Sequence, residues 1–327
     1  TRKMTSLHEM KEKGYIPNRT YTKMIIGGGL SLGKVLLTNL SDLKKLSAPS
    51  TGETLYKRPT RRYRALPKYQ EGMKYCNSDE KYLRPTLYCN CRSHEIIALA
   101  NHLGAFKKSD YEFAEAAFEW AKRNITLEMI EMDQLYDTLQ RGTGTCIHIN
   151  NVFVALCRCA GIKARYKMFA AIESQSMYDE VYDPMMQRWY DALGYFSLEA
   201  DIEVYLDGKW IVAHAGPVPE RQAAMHVPIT KLGEESIGTW FDALPGTTFW
   251  TESIPYGIGL TTKVLMRIAP GTVDTMNANV MNQIEKGKKV LKEKGGEKKY
   301  DEEARVKFKP KFPEMKLKKH KKIIFEE

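Results

Sequence analysis

The stretch that decides the fold is "GTGTCIHINNVFVALCRCAGIKARYKMF" at residues 142–169. Gly142 and Gly144 predict a turn, and the apolar run after it predicts a buried helix that ends at Gly161. Cys146 is then the first residue of that helix, where free backbone N–H groups and the helix dipole lower a thiol pKa and can hold an oxyanion. Buried free cysteines are also common in protein cores, so the turn alone leaves a nucleophile and a structural thiol both open.

Helical patterns precede this stretch and strand patterns follow it. The helices are predicted over residues 93–104, 109–125 and 131–142, and the strands over "KARYKMFAA", "SLEADIEVYL" and "KWIVAHAG". Asp207-Gly208 separates the last two strands and is a strong signal for a two-residue hairpin turn. Helices, a central helix and then an antiparallel sheet predict an α+β domain.

Composition excludes several classes of protein. Of the 327 residues 43% are hydrophobic, yet no apolar run approaches the roughly 18 residues that span a bilayer. The first residues carry no secretory signal, so we expect synthesis in the cytoplasm. The six cysteines are too few for a disulfide framework, and their two C-x-C pairs differ from the C-x(2–4)-C spacing of zinc sites. We therefore expect neither a metal nor another cofactor.

The formal charge of +10 is concentrated near the C-terminus. Residues 285–327 contain sixteen Lys or Arg and nine Asp or Glu, which supplies seven of the ten net positive charges. A basic tail suits an anionic wall or an acidic partner, whereas a nucleic-acid-binding fold is disfavoured. Residues 48–84 are rich in Pro, Arg, Lys and Tyr without a clear period, which predicts a linker or an arm. We expect both segments to serve as contacts for assembly partners.

Residues 85–215 resemble the transglutaminase-like cysteine protease superfamily. The resemblance rests on "GTGTC", "RCAGIKAR" and "EADIEVYLDGKWIVAHA", which occur in the family's order and at suitable spacing. It implies a papain-like core in which the cysteine attacks an acyl carbon, a hairpin histidine is the base and an aspartate orients that histidine.

The hairpin departs from the family pattern. Glu199 occupies the histidine position and His214 the aspartate position. If residues 207 and 208 form the turn, His214 faces Asp201 directly and Glu199 diagonally. One alternative is a catalytic set in which Cys146 is the nucleophile, His214 the base or acid, and Glu199 or Asp201 its orienting carboxylate. The other is an inactive domain, because a carboxylate beside a thiol is a weak base and raises the thiol pKa.

A second resemblance covers residues 11–37, "KEKGYIPNRTYTKMIIGGGLSLGKVLL". This segment is similar to the pseudomurein-binding repeat of methanogenic archaea and their viruses, in which a helix, an extended stretch and a glycine turn precede a second helix that begins near a serine. Such repeats accompany transglutaminase-like domains in pseudomurein endoisopeptidases. The resemblance implies a location at a virion or a cell wall.

Together these features predict four parts. They are a small helical module at 1–47, the basic arm at 48–84, the transglutaminase-like domain at 85–270, and a polar helix with a charged tail at 271–327. We expect hydrolysis or transfer at an amide or isopeptide bond through a thioester, with cell-wall peptide as one substrate. The alternative is a catalytically silent domain with a structural or assembly role.

Overall fold

The structure is a computed structural model that describes residues 7–16, 19–42, 65–193 and 196–311. The helices are α1 (Leu7–Glu12), α2 (Arg19–Thr38), α3 (His94–Leu103), α4 (Asp110–Asn124), α5 (Leu135–Arg141), α6 (Cys146–Cys159), α7 (Gln175–Glu180), α8 (Pro184–Leu193), α9 (Pro219–Ala224), α10 (Leu260–Ile268), α11 (Pro270–Glu293) and α12 (Glu297–Lys307). The strands are β1 (Thr126–Leu127), β2 (Thr143–Gly144), β3 (Ala164–Glu173), β4 (Phe196–Leu206), β5 (Lys209–Ala213), β6 (Phe241–Ala243) and β7 (Phe249–Thr251).

Helix α6 is the centre of the fold. Every residue after its first is buried, as the apolar run predicted, and α3, α4 and α5 pack around it. Two of these helices, α4 and α3, begin at side-chain caps. Ser109 forms a capping box with Glu112, and Ser93 accepts the Ile96 N–H. Each cap satisfies a backbone donor that the first turn of a helix leaves unpaired.

The other side of α6 packs against an antiparallel sheet with the strand order β5-β4-β3-β6, and β7 also pairs with β3. Leu206 pairs with Lys209, and Asp207 and Gly208 both have positive φ, so the two-residue hairpin is confirmed. This register places the far end of β4 beside the residues that follow β5. The sheet, with the helices around α6, confirms the predicted α+β class.

The fully buried Arg158 joins α6 to three other segments. Its guanidinium donates to the carbonyl of Ala164 at 3.1 and 2.8 Å, to that of Glu252 at 2.6 Å and to that of Arg84 at 3.2 Å. A buried cation is tolerated only when its donors are satisfied in this way. The irregular segment from residue 65, which is the described part of the predicted arm, is thereby held against the domain core.

Helix α2 corrects one sequence-based prediction. The predicted extended stretch and glycine turn do not form; instead a continuous helix begins at Arg19 and runs through Gly27, Gly28 and Gly29. The reason is tertiary packing, because Trp189 of α8 donates its Nε1–H to the Gly28 carbonyl at 3.2 Å. Contacts of this kind override the low helix propensity of glycine.

After α10 the chain continues in helices α11 and α12. Helix α11 confirms the predicted polar helix and packs against α9. Residues 297–307 form α12, in which Tyr300 is buried and donates to the carbonyls of Gln222 and Val227 at 3.1 and 2.8 Å. Part of the predicted charged tail is therefore a helix that packs on the rest of the chain. The predicted arm at 48–64 and tail at 312–327 lie outside the described residues. Within the described ranges, no helix combines the length and apolarity needed to cross a membrane.

Candidate active site

Cys146 and Glu199 are in direct polar contact in the site. Cys146 begins α6 as predicted, and its thiol donates to Glu199 Oε1 at 3.2 Å. Burial, the charge of Glu199 and this hydrogen bond raise the pKa of the Cys146 thiol well above its usual value, while the Ile147 N–H of the helix start opposes the rise. The thiol therefore carries its proton at neutral pH in this arrangement.

Glu199 lies on β4, where it pairs with Phe169 of β3, and it is buried. Burial raises the pKa of Glu199 from 4.5 to about 7, and the neighbouring His214 and the thiol limit that rise. Its Oε2 atom has no hydrogen-bond partner among the described residues. Glu199 is thus a carboxyl group that exchanges its proton near neutral pH and keeps one oxygen available.

His214 and Asp201 form a second, separate pair. His214 Nδ1 lies 2.9 Å from Asp201 Oδ1, and Asp201 Oδ2 accepts the Ser236 N–H at 3.2 Å. The two atoms are close but not aligned for a hydrogen bond, so the pair is a close contact between an imidazole and a carboxylate. A Cβ on Gly216 would lie 3.0 Å from His214 Nε2 and 3.7 Å from Cys146 Cβ. The glycine therefore lets His214 Nε2 lie close to the nucleophile candidate.

All four residues proposed from the sequence thus lie in one site, where they form two pairs. Glu199 contacts the thiol, and Asp201 contacts the histidine. Sequence reasoning missed Asn150, which lies one turn after Cys146 on α6. Its amide donates to the Ala200 carbonyl at 2.6 Å and accepts the Ala215 N–H at 3.2 Å. The pair of adjacent asparagines, Asn150 and Asn151, in a largely apolar helix was the available signal.

His148, the third residue of α6, makes contacts that stabilise the start of this helix. Its Nδ1 accepts the Thr145 N–H at 3.1 Å, and its Nε2 lies 3.2 Å from Asp133 Oδ1. It closes the start of α6 as a capping residue. A Cβ on Gly144 would lie 2.5 Å from His148 Cβ, so the glycine of the turn is required by this close packing.

Two further buried ionisable side chains lie near the thiol, and neither was predicted. Glu173 ends β3 and accepts the Tyr182 hydroxyl at 3.1 Å. Burial and the charge of Glu199 raise the pKa of Glu173 well above its usual value. Arg221 donates to Gln283 Oε1 at 3.1 Å, and burial lowers the pKa of its guanidinium to about 10, which leaves it charged at neutral pH. The sequence gives no signal that brings Arg221 to this site.

These residues line a cavity of about 460 Å³. Cys146, Glu199 and His214 contribute from the core, and one face of α2 together with α10 contributes apolar side chains. Among the described residues, no group of three or more His, Cys, Asp or Glu side chains is placed to hold a metal ion. The site therefore combines the Cys146 thiol and its carboxyl acceptor, a histidine that contacts a carboxylate, and the N-terminus of α6.

Residues 97–215 match the model of the transglutaminase-like superfamily. The matched segment runs from α3 to just beyond β5 and contains all four candidate residues. The α+β fold thus has a transglutaminase-like core, as the sequence predicted.

One solved structure with a detectable similarity is described as that of a "putative cysteine protease from Cytophaga hutchinsonii". It shares 19% sequence identity, covers 53% of this chain and 50% of its own length, and has a TM-score of 0.32. The chain therefore spans about half the length of that protein. No curated protein matches the chain.

Proposed function

We propose that the transglutaminase-like domain transfers an acyl group from an amide or isopeptide bond to water or an amine, through a thioester on Cys146. The observation that supports this most directly is the 3.2 Å contact between the thiol and Glu199 at the start of α6. A nucleophile and a proton acceptor at hydrogen-bond distance are the minimum that acyl transfer requires. The backbone N–H groups at the helix start are suited to the oxyanion that develops on the substrate.

Glu199 is the proton acceptor in this proposal. A general base works best when its pKa lies near the working pH, and Glu199 meets this condition with a pKa of about 7. As the Cys146 sulfur bonds to the acyl carbon, its proton passes to Glu199 and then to the nitrogen of the leaving amine. Water or a second amine next attacks the thioester, and its proton returns to the sulfur by the same carboxyl group.

His214 and Asp201 have a supporting role. Asp201 fixes the orientation of the imidazole through its 2.9 Å contact, and the charge of His214 limits the rise of the Glu199 pKa. From α6 towards the hairpin, the proposed order is therefore the Cys146 thiol, the Glu199 carboxyl and the His214 imidazole. The Asp201 carboxylate lies beside the imidazole. A triad depends on geometry and not on which strand carries each residue, so the exchange in the hairpin is compatible with catalysis.

A specific observation also favours a second function, that of a catalytically silent domain with an assembly role. Burial and the charge of Glu199 both favour the protonated thiol. A thiol without a thiolate fraction is a poor nucleophile. The predicted basic segments at 48–84 and 285–327 would then provide contacts for partners. Cell-wall peptide as substrate is a prediction of the catalytic proposal, and a location at a virion or wall is a prediction for both functions; both follow from the resemblance of residues 11–37.

A single-turnover experiment separates the two functions. The native chain is incubated with 4-nitrophenyl acetate, and nitrophenol release and the mass of each cysteine peptide are followed. The partly exposed Cys76 provides an internal reference thiol in the same digest. We expect a burst of about one nitrophenol per chain and an acetyl group on Cys146. In Glu199→Gln the rates of nitrophenol release and of Cys146 acetylation are expected to fall about 10²- to 10⁴-fold. Acetylation of Cys76 without acetylation of Cys146 would exclude the enzyme and leave the silent domain.

A further inference from the structure

The wall that α2 contributes to the cavity is apolar along four helical turns. Its lining residues recur at the spacing of one helix face and include Met24, Gly28, Leu32 and Leu36. No charged residue of α2 or α10 lines the cavity, although these two described helices carry five Lys or Arg in all. The two helices therefore turn their charges away from the space beside the thiol.

The glycines of this face provide the width of the cavity. Gly28, Gly29 and Gly33 all line it. A Cβ on Gly29 or Gly33 would meet no atom within 4 Å, and one on Gly28 would meet only Leu193 at 4.0 Å. Close packing against a neighbour thus does not require glycine at these positions. Glycine inside a helix costs about 1 kcal/mol relative to alanine, so three of them on one face indicate that open space there has a use.

The core side of the cavity has the opposite character. Cys146, Glu199 and His214 lie there together with the carboxyl of Glu173 and the guanidinium of Arg221. A ligand that fits both sides has a polar, reactive group at one end and an apolar body at the other. The volume of about 460 Å³ lies within the usual range of small-molecule sites. Gly29 is exposed as well as part of the lining, so the cavity opens to solvent along α2.

We propose that the acyl group transferred by this domain carries a long aliphatic chain, which lies against α2 and α10 while its carbonyl carbon lies at Cys146. This inference rests on the proposed function for the chemistry and on the cavity for the specificity. The donor is an amide, ester or thioester of a fatty acid. The sulfur–acyl bond forms as the bond to the leaving nitrogen, oxygen or sulfur breaks, and the leaving group takes the thiol proton by way of Glu199.

The binding test does not need catalysis. The full chain carrying Cys146→Ser is titrated with butanamide and octanamide, two neutral amides that differ by four methylenes. Each methylene buried in an apolar site contributes about 0.8 kcal/mol, so octanamide is expected to bind about fourfold more tightly per added methylene. Equal affinities for the two amides would overturn the inference.

A matched pair of variants locates the chain. Gly28→Leu places a side chain on the lining face and is expected to weaken octanamide binding at least tenfold while it leaves butanamide binding unchanged. Gly27→Leu is the matched control. It adds the same side chain at the neighbouring residue, which does not line the cavity and whose Cβ would meet no atom within 4 Å. Equal loss of octanamide affinity in both variants would also overturn the inference.

A transfer assay distinguishes failure of this inference from failure of the proposed function. The native chain is treated with the 4-nitrophenyl esters of butyric and octanoic acid, and acylation of Cys146 is measured by mass. If octanamide binds more tightly than butanamide but neither ester acylates Cys146, the aliphatic site is supported and the enzyme is excluded. If both esters acylate Cys146 at equal rates and the amides bind equally, the enzyme is supported and the aliphatic specificity is wrong.

Discussion

Glu199→Gln is expected to stabilise the folded chain above neutral pH while it slows acyl transfer. The buried carboxyl of Glu199 has a pKa of about 7 in the folded chain, against an ordinary value of 4.5. At about 1.4 kcal/mol per unit of pKa, ionising it in the folded state costs about 3 kcal/mol more than ionising it in the unfolded chain. Glutamine keeps the shape of the side chain and removes this cost.

The sign and the pH range follow from the direction of the rise. Between about pH 4.5 and pH 7 the folded state holds the Glu199 proton more tightly than the unfolded state does. The free energy of unfolding of the native chain therefore falls as pH rises through that range, relative to Glu199→Gln, and the difference is constant above it. Glu173 acts in the same direction, because the charge of Glu199 also raises the pKa of that carboxyl. The value of about 3 kcal/mol is the contribution of Glu199 alone to the difference in the free energy of unfolding.

Urea unfolding of both chains between about pH 4 and pH 8.5 measures this difference. Glu115→Gln, which neutralises an exposed carboxyl on α4, is the matched control and is expected to leave the stability within about 0.5 kcal/mol. A native chain that is as stable as Glu199→Gln at every pH would refute the assignment of Glu199 as a buried carboxyl that titrates near neutrality.

Two other variants test the positioning of the site and the packing behind it. Asp201→Asn is expected to slow acylation of Cys146 in the nitrophenol assay by less than the roughly 10²- to 10⁴-fold expected of Glu199→Gln, since His214 loses its orienting carboxylate while the proton acceptor stays in place; an unchanged rate would contradict that role. Gly287→Ala is expected to lower the free energy of unfolding by about 1–3 kcal/mol or more, because its Cβ would lie 1.6 Å from the Glu220 carbonyl oxygen. Gly27→Ala is the control in urea unfolding, because a Cβ on Gly27 would meet no atom within 4 Å, and its free energy of unfolding is expected to rise by up to about 1 kcal/mol. Equal free energies of unfolding for Gly287→Ala and Gly27→Ala would count against the close packing of Gly287 on Glu220.

The parts of the site that local sequence determines were predictable. The glycine turn before Cys146 and the apolar run after it define α6. The Asp207-Gly208 turn fixes the register of the hairpin, and this register brings His214 to Asp201. Turn chemistry and residue periodicity act over a few residues, so they can be read without knowledge of the tertiary structure.

The parts that depend on distant segments were not predictable. Whether Glu199 contacts the thiol depends on the distance between β4 and α6, which Asn150 and the packing of the core determine. Arg221 reaches the site through α9, and nothing in its local sequence indicates this. The continuous helix through Gly28 forms because α8 packs against it, although the local propensity favours a break.

The contacts of Arg158 bear on how the chain can be divided for expression. A fragment cut at the bounds of the superfamily match, 97–215, would keep the Ala164 carbonyl but remove the carbonyls of Arg84 and Glu252 from the guanidinium. Removing partners from a buried charge costs several kcal/mol, a large part of the stability of an ordinary domain. The shortest fragment worth purifying therefore begins before residue 84 and ends after residue 252, well outside the region that sequence similarity defines.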